Sequence, residues 1–266
     1  MSNPINAEAL AAWETNAGFW DQTMGDEGND YYNVVELPAL ERMAAVKPGD
    51  RALDLATGNG LVARWLASKG ATVIATDGSR IMLDHARRRG ANAKGENISA
   101  ISYHVLDATS TEDFEKFIAQ EIADKGAFDI VIMNMAIMDI PILEPLAAAL
   151  PKLLKKNTGR FVATLLHPFI TPGSTRVIEY ADSRETGREE ELISLKLTHY
   201  LHAPGPIKAE ALKGQPSYQS GLVLDALEEP NFDKEYSDSQ NLDPRSLRYV
   251  TEIPKIFAFR VRAMKY

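Results

Sequence analysis

The chain has 266 residues, 45% of them hydrophobic, enough for one sizeable core with an attached subdomain. Asp and Glu total 37 against 29 Lys and Arg, a formal net charge of -8, and such an acidic surface repels phosphate backbones and anionic membranes. There is no cysteine, which excludes disulfides, thiolate metal sites and a cysteine nucleophile.

The first ten residues lack the basic and apolar regions of a secretory signal. No stretch approaches the ~18 apolar residues of a membrane span, so the expectation is a soluble, cytoplasmic chain with neither nucleic acid nor membrane as partner. Residues 1–47 read as a helical cap with dense aromatics: Trp13, Phe19, Trp20, Tyr31 and Tyr32. After the Pro48-Gly49-Asp50 turn, short apolar runs alternate with amphipathic stretches, the pattern of a parallel sheet wrapped by helices. Strands are expected at 51–55, 72–76, 101–105, 128–133, 160–166, 222–227 and 255–262, with helices at 61–68, 79–89, 111–123 and 142–154. Residues 168–221 break this rhythm and read as a substrate lid: a long polar helix from about 174 to 201, then the Pro/Gly-broken 203–206. A polar, mobile loop is expected over 231–248, and the last strand, after Ile253-Pro254, as an antiparallel addition at the sheet edge. The organisation is one domain: cap 1–47, cofactor-binding core 48–167, lid 168–221 and terminal strand pair 222–266.

The strongest local signal is Ala52-Leu-Asp-Leu-Ala-Thr-Gly-Asn-Gly-Leu-Val62, an apolar strand running through a glycine pair straight into a helix. Glycines let the backbone turn sharply and approach a ligand, and free N–H groups at the helix start point at it. Gly58 to Ala63 also satisfies the dinucleotide pattern, with Asp77 at a suitable distance. Asp54, however, lies before the glycines, where a carboxylate suits a cationic group and repels a pyrophosphate. The motif also starts some fifty residues into the chain, behind the cap. Asp77 ends the second strand, placed to accept from both ribose hydroxyls. Gly78 follows, and Ser79 would cap the next helix. Met82, one turn on, would touch a purine or pack in the core. Asp107, followed by Ala108, ends the third strand within reach of an adenine amine, so acids stand at three consecutive strand ends.

Leu53-Asp-Leu-Ala-Thr-Gly-Asn-Gly60, Asp77, Asp107 and Phe128-Asp-Ile-Val-Ile-Met-Asn134 resemble the ordered motifs of class I S-adenosylmethionine-dependent methyltransferases. The flavour is that of ubiquinone/menaquinone-biosynthesis and secondary-metabolite small-molecule members. The resemblance implies an α/β, Rossmann-like fold with a seven-stranded, mostly parallel sheet and an antiparallel last strand. It implies S-adenosylmethionine as cofactor, its methionine part held by Asp54 and the loop Ala56, Thr57, Gly58, Asn59 and Gly60. It also implies Asp77 at the ribose, Asp107 near adenine, and Asn134, Met135 and Ala136 beside the sulfonium. Ala56 departs from the family pattern, standing where many members have glycine.

Methyl transfer is an in-line displacement in which the enzyme aligns the acceptor, excludes water and sometimes takes a proton. His167, directly after the fifth strand, is the candidate general base, against a purely local hydrogen-bonding role in the loop that follows. Met138, Asp139, Phe169 and His202 are candidate substrate contacts, and the cap aromatics, Trp20, Tyr31 and Tyr32 especially, would shelter the cofactor or pack in the core. His199 and His202 lack a carboxylate companion, so no metal is expected. The run Arg87-Arg-Arg89 complements a helix dipole. The expected function is methylation of a small molecule at a phenol or carboxylate oxygen, by a monomer or homodimer. Sulfur and nitrogen acceptors, a non-methylating cyclase, and an NAD(P)-dependent oxidoreductase are the alternatives. The last would need its own catalytic pair, and no Tyr-x-x-x-Lys occurs.

Overall fold

A computed structural model describes residues 4–93, 98–167, 174–182, 189–197, 222–240, 251 and 253–263. Its centre is a seven-stranded sheet built from β1 (Arg51–Leu55), β2 (Thr72–Asp77), β3 (Ser102–Val105), β4 (Ile130–Asn134), β5 (Arg160–Leu166), β8 (Leu222–Glu228) and β9 (Ile256–Ala263). The strand order is β3-β2-β1-β4-β5-β9-β8. Strands β1 to β5 pair in parallel, while β9 runs antiparallel to both β5 and β8. The last strand is therefore not at the edge: it is inserted one place in, and β8 forms the border. A bulge between Leu224 and Ala226 marks that border, where Asp225 binds Arg260 at 2.8 Å and also pairs with Arg262.

The central strands are apolar at nearly every position because helices cover both faces. Alternate side chains divide between two cores. Ala52, Ile130, Ile132 and Val162 meet α2 (Leu37–Ala44) and α3 (Leu61–Ser68) through Leu40, Met43, Val62 and Leu66. Leu53, Leu55, Val131, Met133 and Phe161 meet α5 (Thr111–Lys125) and α6 (Glu144–Leu153) through Phe114, Phe117, Leu150 and Leu153. The helix α4 (Arg80–Asn92) starts at Ser79, whose hydroxyl accepts from the Met82 N–H at 3.2 Å.

The cap consists of α1 (Pro4–Met24), a π-helical turn at Tyr31–Glu36, and α2. Pro38, early in α2, has no N–H to give to the carbonyl four residues back. The chain widens just before it, and the Leu37 N–H reaches back five residues to the Tyr32 carbonyl.

The segment expected as a long helix from 174 to about 201 is instead, over its described part, an antiparallel hairpin of β6 (Ser174–Asp182) and β7 (Glu189–Leu197). Ile178 is in register with Ile193 and Asp182 with Glu189. Val177, Ile178 and Ile193 are β-branched, and Ile193, Leu195 and Leu197 recur at every second position, a strand period that the polar residues between them disguise. The segment expected as a mobile loop contains α7 (Lys234–Ser239), whose first turn is capped by the Asp233 carboxylate accepting from the Tyr236 N–H at 2.7 Å. This piece packs on the cap: the Phe232 ring meets Tyr31 edge-on at 5.3 Å, and the Tyr236 hydroxyl donates to Asp30 at 2.6 Å.

Phe128 is fully buried, stacked 6.2 Å from Phe117, with the Arg51 guanidinium 4.0 Å above its ring. Phe128→Ala is expected to cost about 3–5 kcal/mol of stability, read as a lowered midpoint in urea denaturation.

Candidate functional site

The carboxyl ends of β1, β2, β3 and β4 open into a cavity of about 840 Å³, roofed by α1 and the π-helical turn. The strand order reverses between β1 and β4, which places the cavity at the switch point where open α/β sheets bind ligands.

The β1 end is shaped by hydrogen bonds within a few residues of each other. Ala56 turns the chain with φ 55, left-handed and unfavourable for a residue with a Cβ. The Thr57 N–H then ties to the Thr76 carbonyl at 2.8 Å, and its hydroxyl donates to Asp54 Oδ2 at 2.5 Å. Gly60, at φ 80, starts α3 close against α4; an added Cβ would sit 3.1 Å from that of Ala86. Asp77 accepts from the Gly58 N–H at 2.9 Å and the Ser79 N–H at 2.8 Å. Asp107 accepts from the Thr109 N–H at 2.8 Å and from Asn6 of the cap at 2.6 Å. At the end of β4, Asn134 donates to Glu36 Oε2 at 2.9 Å and accepts from the Thr164 hydroxyl at 2.6 Å.

The roof is fastened by ion pairs. Asp21 of α1 takes His85 Nδ1 at 2.8 Å and also Arg89, while Arg89 reaches Asp26 at 2.6 Å. Arg64 spans the Asn59 carbonyl at 2.7 Å and the Asp26 carbonyl at 3.0 Å, and Asn59 returns a bond to the Gly25 carbonyl at 3.1 Å. The cap is thereby tied to the glycine loop itself.

Of the residues singled out from sequence, the structure brings Trp20, Asp54, Ala56, Thr57, Gly58, Asn59, Asp77, Gly78 and Met82 to the cavity wall. Asp107, Ala108, Asn134, Met135, Ala136, Met138 and Asp139 join them. Gly60 and Ser79 lie behind that wall, as helix start and helix cap. Tyr32 is 2% exposed and packs in the core with Leu40 and Leu61, and its neighbour Tyr31 lines the cavity instead. Leu166 lines the cavity, but His167, the next residue, does not. Its ring is buried, with Nε2 2.8 Å from Glu229 Oε1 and a T-shaped contact to Phe257 at 6.0 Å; successive residues of an extended strand point opposite ways. Phe169, His199 and His202 lie outside the described residues. Glu36 and Asn6 line the cavity without having been singled out, and Trp13, one of the cap aromatics, lines it too. Cap residues carry no local motif, and an acid at the end of a helical stretch reads as solvent-facing.

Among the described residues the wall carries five carboxylates, Glu36, Asp54, Asp77, Asp107 and Asp139, and no Lys, Arg or His. Burial pushes Asp54 up to about 7, against the Thr57 hydroxyl bond, and the nearby Asp77 charge adds to the rise. Burial likewise takes Asp77 to about 6, opposed by the Ser79 and Gly58 N–H bonds, and Glu36 to about 7, opposed by the Asn134 bond. Carboxylates held this way, by neutral donors in a desolvated cavity, lower their free energy when a cation arrives. S-adenosylmethionine carries an ammonium and a sulfonium, so the donor set fits it.

Groups whose folded values lie above the ordinary carboxylate range stabilise the fold fully at low pH and lose that contribution as pH rises through the folded values. The melting temperature of the ligand-free protein is therefore expected to fall between about pH 5 and 7.5, with a shallower slope in Asp54→Asn. Ala56→Gly is expected to relieve left-handed strain and raise stability by about 1 kcal/mol, measured by urea denaturation.

Residues 52–157 match the family described as "Methyltransferase domain". The chain is 30% identical over 118 residues to a ubiquinone biosynthesis O-methyltransferase of Bartonella bacilliformis, covering 44% of this chain and 42% of that protein. It is 27% identical over 155 residues to the enzyme of the same name from Burkholderia vietnamiensis, covering 58% and 57%. It thus spans about half the length of the curated relatives it matches. In fold it is similar to an S-adenosylmethionine dependent methyltransferase from Mesorhizobium loti, with TM-score 0.59 and 22% identity, covering 85% of this chain and 97% of that one. The matched region begins within β1 and carries the glycine loop and the acids at the ends of β1, β2 and β3, so the part of the chain that lines the cavity is the part similar to a methyltransferase domain.

Proposed function

We propose that this enzyme methylates a small molecule, with a phenolic oxygen as the favoured acceptor. The observation that carries the reading is the cavity. At about 840 Å³ it lies near the top of the range for small-molecule sites, about 300–1,000 Å³, which suits a cofactor together with a compact acceptor. A roof tied down through Asp21, Arg89 and Arg64 favours a substrate small enough to be enclosed. The distant O-methyltransferase relatives support oxygen as the acceptor atom. A carboxylate acceptor, the other oxygen class expected from sequence, finds no cation on the described wall to balance its charge.

Bound S-adenosylmethionine supplies an electrophilic methyl carbon. In this reading Asp54 holds the ammonium, Asp77 orients the ribose hydroxyls, and Asp107, steadied by Asn6, faces the adenine amine. Asn134, Met135 and Ala136 form the wall beside the transferable methyl. Trp13, Trp20 and Tyr31 exclude water and offer apolar faces to an aromatic acceptor. The oxidoreductase alternative is disfavoured by the same wall, because a pyrophosphate would meet carboxylates without a compensating cation.

Thermal denaturation with S-adenosylhomocysteine and with NADH separates these functions. A ligand at a hundred times its Kd adds about 2.7 kcal/mol, a rise of roughly 5–10 °C for a chain of this size. That rise is expected with S-adenosylhomocysteine alone; stabilisation by NADH alone would overturn the reading. Incubation with methyl-labelled S-adenosylmethionine and a phenol panel should then move label into a phenol ether.

A further inference from the structure

Asp54, Asp77 and Asp107 stand at strand ends, whereas Glu36 enters the cavity from the cap. It is the last residue of the π-helical turn, 3% exposed, and π-turns recur where a backbone is adjusted to aim a side chain at a site. Its Oε2 accepts from Asn134 at 2.9 Å, and the Thr164 hydroxyl, donating to the Asn134 carbonyl oxygen at 2.6 Å, turns the amide N–H₂ towards Glu36. Thr164 is held in turn by the Met135 N–H at 3.1 Å. The carboxylate is therefore positioned by a three-residue chain rooted in two adjacent central strands, β4 and β5, at the switch point. Among the described residues no cation acts on Glu36 and Oε1 has no hydrogen-bond donor. A buried carboxylate with a free oxygen facing a cavity is costly until a donor reaches it.

We infer that Glu36 is the acceptor-facing carboxylate: it receives a hydrogen bond from the acceptor's N–H or O–H, takes that proton during transfer, and so selects uncharged or cationic donors over carboxylate acceptors. This rests on the small-molecule methylation proposed above. The acceptor's lone pair, present in a phenol and freed in a cationic amine when it gives one N–H proton to Glu36 before transfer, forms a bond to the methyl carbon. The carbon–sulfur bond breaks with its electrons kept by sulfur, the acceptor proton passes to Glu36 Oε1, and water carries it away after product release. Burial supports the role, since it pushes Glu36 up to about 7, where a carboxylate can take and return a proton near neutral pH. Asp139, raised by burial as well, lies on the described wall but is not in this chain of bonds.

The test uses the full chain and its Glu36→Gln variant, which keeps a side chain able to bond Asn134. S-adenosylhomocysteine affinity is measured by titration. Phenol, benzylamine and benzoate are then offered to each complex and followed by ligand-observed NMR. Wild type is expected to bind phenol or benzylamine at least tenfold better than benzoate, and whichever arm dominates identifies oxygen or nitrogen chemistry. In Glu36→Gln the S-adenosylhomocysteine Kd should stay within about twofold while that preference disappears. Turnover of the preferred probe, followed by S-adenosylhomocysteine release, should fall at least a hundredfold and lose its rise with pH near 7. Several results would overturn the inference: a tenfold weaker S-adenosylhomocysteine Kd in the variant, which would place Glu36 on the cofactor; an unchanged preference; or a wild-type complex that favours benzoate or binds none of the three. Failure of wild type to bind S-adenosylhomocysteine would instead sink the methyltransferase reading, and the inference with it.

Discussion

The structure turns on carboxylates kept in a desolvated cavity whose described wall holds no Lys, Arg or His, Arg64 behind it acting only weakly on Asp54. Asp54 is 1% exposed and is held by a threonine hydroxyl; Asp77 is held by two backbone N–H groups, and Glu36 by an amide. Neutral donors of this kind fix geometry but leave charge uncompensated, so each group sits above its ordinary pKa. The resulting cost is local and is set against the two apolar cores that flank the sheet. A cationic ligand removes it, and the ligand's own positive charge then contributes to holding the site together.

Geometry and charge are divided between core and cap. The sheet supplies the strand-end acids in fixed positions, while the cap supplies Asn6, Trp13, Trp20, Tyr31 and Glu36. The positive charges of this region face away from the ligand space: Arg64 and Arg89 lie at the seam, where they fasten α1 to the glycine loop and to α4. With these two cations of α3 and α4 engaged in closure, the described cavity wall presents only neutral and acidic groups inward. That arrangement links the mechanical role of the seam to the chemistry that the cavity accepts.

What was legible in the sequence is what is encoded locally. The run from Ala52 to Val62 needs only its own neighbours to form strand, turn and helix, and the acids at 77 and 107 are set by where β2 and β3 end. Glu36 is different, because it meets Asn134 across 98 positions and no local pattern announces the pair. Tyr31 and Tyr32 were expected to act alike, but as neighbours on a helical turn they face different ways, Tyr31 to the cavity and Tyr32 to the core. The pairing of β6 with β7 was hidden by polar residues between β-branched ones, and the inner place of β9 depends on long-range pairing with both β5 and β8. His167 follows the strand as expected, yet residue parity turns it towards Glu229.

The central claim is that the cavity stores uncompensated carboxylate for a cationic cofactor. Calorimetric titration with S-adenosylhomocysteine at pH 6.5, in two buffers of different ionisation enthalpy, tests this directly. Its ammonium should drive protons off Asp54, since a group near 7 is mostly protonated there in the free protein. The account expects net proton release, together with affinity that tightens from pH 5.5 to 8. Proton uptake, or heats that do not depend on the buffer, would contradict it.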